Sequence, residues 1–328
     1  MEPLTLAELD ARSAELDRAA LEAPDIDRFC SSSSWVMPAA AALMPPGRPW
    51  LLAGADGFVA AILRRHAGRR IVEPLEASWG LASPLVGPRA APLASALLDL
   101  VRAREGEWDL LVLSGLLVDS QLLGAVARAL GRRYRLGAGP VTRRHVASLA
   151  GGLDGFLSRR PRALRKSLRQ AERRAAAAGI AFEEAAADSP AAADRLFDRL
   201  LAVERASWKG RGGVGLDAGE MRAFYRLMAR RLAAGRRLRL LFARRGDEDV
   251  AYILGAVFGD TYRGLQFSFD DRWRAVGLGN LAQARQVALL AEREPEVARY
   301  DLGTGGEYKR AWAERSIDSI ALVAGRGA

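Results

Sequence analysis

The chain has 328 residues, half of them hydrophobic, and a formal net charge of +10 at pH 7 carried by 46 Arg and 3 Lys. That length and apolar content suffice for cores in two domains. A single cysteine, Cys30, and two histidines, His66 and His145, exclude a disulfide framework and argue against a metal centre. No apolar run approaches the roughly 18–20 residues that span a bilayer, and the N-terminus lacks a basic segment followed by an apolar core, so the expectation is a cytoplasmic globular protein.

The first thirty residues, rich in Ala, Glu and Asp, predict one or two lead-in helices. Cys30 beside Ser31-Ser32-Ser33-Ser34 reads as part of a polar loop and is assigned no role. Trp50 to Ala53 and Phe58 to Leu63 flank Gly54-Ala55-Asp56-Gly57, a hairpin signal. Leu93, Leu97, Leu100 and Val101 recur at helical spacing over Pro92 to Arg104. A short apolar strand then runs from Trp108 to Ser114, a helix from Gln121 to Leu130 and an extended stretch from Tyr134 to Val146. Gly151-Gly152 marks a break, which sets the expected domains at 1–150 and 151–328.

The second domain begins with a basic helix, Arg159 to Arg174, carrying eight positive side chains against one acid, Glu172. An Arg bias in an Ala- and Gly-rich chain reflects a GC-rich gene and makes nucleic acid a weak expectation. This local cluster is either a solvated helix face or the one place where nucleic acid could bind. Helices follow at Ala191 to Trp208 and Ala218 to Ala234, the second with Met221, Phe224, Tyr225, Met228 and Leu232 as core. Strands at Arg237 to Arg244, Asp249 to Phe258 and Tyr262 to Phe269, separated by tight turns, predict an antiparallel meander.

Arg274-Ala275-Val276-Gly277-Leu278-Gly279-Asn280 then joins the last meander strand to a helix, Asn280 to Glu294. Glycines at 277 and 279 let the backbone turn sharply and bring N–H groups close to an anion, and the helix adds its positive N-terminal dipole. A strand at Arg299 to Leu302, a short helix at Glu307 to Glu314 and a strand at Ile317 to Val323 complete an α/β pattern in which the strands flanking the loop are parallel neighbours.

This second domain resembles the GNAT acyltransferase superfamily, whose R/Q-x-x-G-x-G/A loop after a meander holds the diphosphate of acyl coenzyme A; Arg274, Gly277 and Gly279 match it. The whole chain looks more specifically like the branch with two GNAT-like lobes, which includes Fem-type peptidyltransferases and acyltransferases of exopolysaccharide and cellulose loci. Leu164 to Arg174, Glu204 to Gly210, Ser268-Phe269-Asp270 and Asp301-Leu302-Gly303 to Tyr308-Lys309 carry that resemblance. It implies two tandem lobes, each a mixed, mostly antiparallel sheet flanked by helices, with the first lobe degenerate on the acceptor side. It also implies an acyl-CoA co-substrate, acetyl-CoA or another, bound by Arg274, Val276, Gly277, Leu278, Gly279 and Asn280.

Direct transfer to an amine, as the resemblance implies, needs a base for an ammonium of pKa ~10.4 and an acid for the departing sulfur. Tyr308 is the expected acid. Asp270 is the expected base, with Glu204 and Asp301 behind it, although Asp270 beside Asp271 reads equally as a capping acid. Lys309 is expected to contact donor phosphate or to steady the oxyanion, and Glu204, Trp208 and Lys209 to line the acceptor site. The implied acceptor is a small-molecule or saccharide amine. Two alternatives stay open: a Fem-like transferase using aminoacyl-tRNA, and a non-catalytic scaffold or nucleic-acid-binding protein. The absence of a long helical insertion between Gly179 and Gly210, together with the intact loop, favours acyl-CoA.

Overall fold

Two stretches of the chain repeat one connectivity: three antiparallel strands, a crossover helix, and a strand parallel to the third. The structure, a computed structural model, describes residues 1–44 and 46–326. The chain forms two compact units, Met1–Arg143 with Ile317–Ala328, and Arg144–Ser316.

The first unit opens with β1 (Glu2–Leu4), α1 (Leu6–Ala11) and α2 (Ser13–Glu22). Thr5 caps α1 through a reciprocal box with Glu8. Next comes α3 (Ser33–Ala42), which corrects the expected polar loop: Cys30 and Ser31 through Ser34 are all buried. Their polar groups are satisfied inside, with Ser32 Oγ donating to Phe29 O at 2.7 Å and Asp17 accepting from Ser33 N at 2.7 Å.

The expected hairpin is β2 (Arg48–Gly54) with β3 (Gly57–His66), and β4 (Arg69–Pro74) completes a meander. After β5 (Leu85–Val86) and α4 (Ala90–Ala103), β6 (Leu110–Leu117) lies parallel to β4 through Ile71↔Leu110 and Val72↔Leu111. α5 (Gln121–Gly131) and β7 (Arg135–Ser148) follow.

The second unit takes the last residues of β7 and continues with α6 (Gly152–Ser158), α7 (Arg162–Ala177) and β8 (Ile180–Ala185). α8 (Pro190–Ala206), α9 (Trp208–Arg211) and α10 (Glu220–Ala234) precede the meander of β9 (Leu238–Arg245), β10 (Glu248–Phe258) and β11 (Thr261–Phe269). α11 (Leu278–Arg293) crosses over to β12 (Arg299–Thr304). The strand order in this unit is β7-β12-β11-β10-β9-β8. One core cluster gathers Tyr262, Tyr300, Trp312, Phe156 and Val287, and another Ala171, Ala175, Val250, Val276 and Leu278.

The final strand, β13 (Arg315–Gly325), pairs antiparallel with β6 from Ser319 onward. Residues 317–328, expected in the second domain, therefore belong to the first unit, and the chain changes unit at Arg143/Arg144 inside a strand. A glycine pair could not signal a boundary that falls within an extended run. Both units are mixed, mostly antiparallel sheets flanked by helices. No helix among the described residues is long and apolar enough to cross a membrane.

Candidate active site

β11 and β12 pair in parallel for only three residues, Thr261↔Arg299, Tyr262↔Tyr300 and Arg263↔Asp301. Beyond Arg263, β11 continues to Phe269 against β10, so its other edge carries backbone groups with no strand partner in the described register. A ligand with amide groups can pair along such an edge as an extra strand does.

The loop at the end of β11 begins with Asp270, whose N–H donates to Val250 O at 2.9 Å. Asp270 caps a 3-10 turn, Asp271–Val276, accepting from Arg272 N at 2.9 Å and from Arg272 Nε at 2.8 Å. Burial alone would raise its pKa, but the Arg272 contacts outweigh burial and hold it below the ordinary carboxylate value. A buried carboxylate of lowered proton affinity, committed to Arg272, is a poor base. The structure therefore gives Asp270 the capping role.

Gly277 ends the turn at φ +86° and is the N-cap of α11, a backbone conformation that favours glycine. At Gly279 a side chain would place Cβ 2.8 Å from the Phe267 ring. α11 has no side-chain cap, and its ladder starts with Leu281 N–H donating to Gly277 O at 3.2 Å. The leading N–H groups thus point outward with the helix dipole behind them. Val276 and Leu278 are buried core anchors. The Asn280 side chain accepts from Trp312 Nε1 at 3.2 Å. Val276 and Leu278 can meet a ligand only through backbone. Arg274, paired with Asp271 at 3.1 Å, is largely exposed, and with Trp208 and Phe269 it lines an open hollow. Trp208 is 52% exposed, so it is surface wall and not core.

Two of the three lysines meet β11 and the end of β12. Lys209 Nζ donates to Phe267 O at 2.7 Å and to Gln266 Oε1 at 3.2 Å, and burial lowers its pKa. Lys309 Nζ donates to Thr304 O at 2.6 Å. Burial, aided by the positive field of Arg263 and Lys209 and opposed by Asp301, brings Lys309 down to about 8. Tyr308, on the 3-10 turn Glu307–Ala311, meets the Phe267 ring edge-on at 5.7 Å between centroids. Tyr308 is 42% exposed as a residue, yet desolvation raises its pKa to about 12. It is a protonated donor at neutral pH.

Glu204 is fully buried, accepting from Tyr252 Oη at 2.9 Å and from Leu216 N at 3.0 Å. It locks the segment between α9 and α10 and holds no free face for a substrate. Sequence reasoning missed Arg263 and Arg144, both buried, which share Asp301 Oδ2. For Arg263 the available signal was an arginine inside a strand between Tyr262 and Gly264, diluted by the Arg bias of the chain; Arg144, between Arg143 and His145, carries no such signal. Asp301 Oδ1 also accepts from Gly303 N at 2.8 Å. Asp301 is thus a structural hub and not a free base.

The counterpart place in the first unit is filled by its own chain. Leu85 and Val86 pair with β3, Ser114 Oγ donates to Ala82 O at 3.1 Å, and Leu81 through Ser83 are buried.

Solved structures share the fold. A conserved protein of unknown function from Bacteroides thetaiotaomicron is 12% identical, with 99% of each chain covered and a TM-score of 0.63. FemX is 12% identical over 98% of this chain and 97% of its own, with a TM-score of 0.62. L-PGS from Bacillus licheniformis is 10% identical over 96% and 91%, with a TM-score of 0.58. No curated protein matches the sequence. Residues 162–310, which contain the loop, the parted strands, Lys209 and Tyr308-Lys309, match the family model of the acetyltransferase (GNAT) domain.

Proposed function

We propose that the chain is an acyl-CoA-dependent N-acyltransferase that moves an acyl group, acetyl in the simplest case, to the amine of a small molecule, an amino sugar or a surface-polysaccharide precursor. One observation carries the reading: β11 and β12 part after Arg263↔Asp301, beside an α11 N-terminus that has no side-chain cap and is entered through Gly277 and Gly279. The backbone of 277–280 suits a diphosphate, and the open edge of β11 suits the amides of a pantetheine arm. A thioester supplies an acyl carbon open to direct attack by an amine.

In this reading the neutral amine attacks and the C–S bond breaks; Tyr308 donates the proton that the leaving thiolate needs and is reprotonated, through solvent, by the proton the nitrogen loses as the amide forms, while Lys309 holds positive charge near the carbonyl oxygen as it becomes an oxyanion. Trp208 and Lys209 wall the acceptor side. Titration with acetyl-CoA, followed by thermal shift, tests the donor assignment: saturable stabilisation supports it and no shift removes it.

The second reading is a Fem-like transfer from aminoacyl-tRNA, favoured by the exposed basic face of α7 and by the fold shared with FemX. It requires charged tRNA to bind with a steep salt dependence and coenzyme A not to bind.

A further inference from the structure

The basic helix α7 packs against the glycine loop. Arg174 Nη1 donates to Ala275 O at 3.0 Å, and the Ala171 methyl lies 3.3 Å from where a Cβ on Gly277 would stand. From that contact α7 and α11 run on together and enclose a hollow with α6. Its floor is apolar, from Leu157, Leu168, Leu281 and Ala284, and Arg165, Arg169 and Arg285 stand around it.

Of the eight positive side chains expected on this segment, several are already committed. Arg160 is buried, stacks on Phe156 at 4.5 Å and bonds Trp312 O and Glu314, while Arg159 bonds Glu314. Arg285 pairs with Glu172 at 2.5 Å, which neutralises one of the two acids at the hollow and leaves Asp154 as the other. Arg165 and Arg169 have no carboxylate partner among the described residues.

We infer that this hollow receives the nucleoside 3′-phosphate end of the donor, with the purine on the leucine floor and the phosphate between Arg165 and Arg169. The inference rests on the acyl-CoA reading above. Reach supports it: Ala171 to Arg165 is six helical residues, roughly 9 Å at 1.5 Å each, comparable to the span of a nucleotide. Chemistry supports it too, because a flat apolar base and a dianion match an apolar floor flanked by two guanidinium forks.

The test crosses a ligand change with a residue change. Calorimetry would give the Kd of acetyl-CoA and of 3′-dephospho-acetyl-CoA for the wild type, for Arg165→Ala/Arg169→Ala, for the charge-matched control Lys166→Ala/Arg173→Ala and for Gly277→Val. The wild type is expected to bind the dephospho ligand roughly tenfold more weakly, and the Arg165/Arg169 variant to bind both ligands at that weaker level. The control should keep the wild-type preference, and Gly277→Val should weaken both ligands alike. A wild type indifferent to the 3′-phosphate, or an Arg165/Arg169 variant that keeps the full preference, overturns the inference and leaves the donor loop standing. Failure of the wild type to bind either ligand overturns the acyl-CoA reading itself.

Discussion

Arg263 and Asp301 are the last register pair between β11 and β12, and Arg263 Nη1 donates to Asp301 Oδ2 at 2.6 Å. The two strands therefore separate at an ion pair. Buried charges must be matched where they stand, so a pair at this position pins the point of divergence and keeps the edge of β11 open.

Removing the charge of Asp301 leaves Arg263 and Arg144 buried around a neutral amide. Asp301→Asn is expected to destabilise the fold by about 3–5 kcal/mol, measured as ΔG of unfolding in urea. A loss below about 1 kcal/mol would show that the pair does not pin the strands.

Asp270→Asn separates capping from catalysis. The carboxylate has a lowered pKa in the folded chain, so its stabilisation is present above its unfolded value of ~3.9 and is lost as pH falls through the lower folded value. The variant should lose stability at neutral pH, show a flatter acid limb, and keep turnover within about threefold of wild type. A drop of about 100-fold in kcat with unchanged stability would restore Asp270 as the base.

Tyr308→Phe is expected to lower kcat by about 100-fold while leaving the Kd for acetyl-CoA within twofold, because in the proposed function the hydroxyl serves the departing sulfur and not ground-state binding. Wild-type turnover across the pH range would remove the role.

Lys309 carries its charge below about 8 and loses it above. If that charge steadies the oxyanion, kcat falls as pH rises through about 8, and Lys309→Arg, charged at all accessible pH, moves the fall upward. A rate that instead rises through about 8 would make the neutral amine the active form.

Much of the second unit was legible because its signals are local. Three strand runs closed by Arg245-Gly246-Asp247-Glu248 and Gly259-Asp260-Thr261 form the β9-β10-β11 meander, and glycines 277 and 279 sit where a positive φ and a close approach demand them. Long-range burial was not legible. Ser31 through Ser34 read as loop because their polar groups look solvated until Phe29 and Ser83 meet the Ser32 and Ser31 hydroxyls and Asp17 meets the Ser33 N–H. Glu204 looked available for substrate because nothing near it in sequence shows Tyr252, 48 residues away. β13 looked like the end of the second domain because strand order is set by pairing and not by chain order.

In the proposed function the N-terminus of α11 holds the diphosphate of an acyl-CoA. The most direct test is calorimetric titration of acetyl-CoA into the wild type and into Gly279→Val, whose side chain would meet Phe267. Micromolar binding by the wild type, weakened at least tenfold in a Gly279→Val protein that remains folded, is the result expected. No binding by the wild type, or equal affinity in the two proteins, would contradict it.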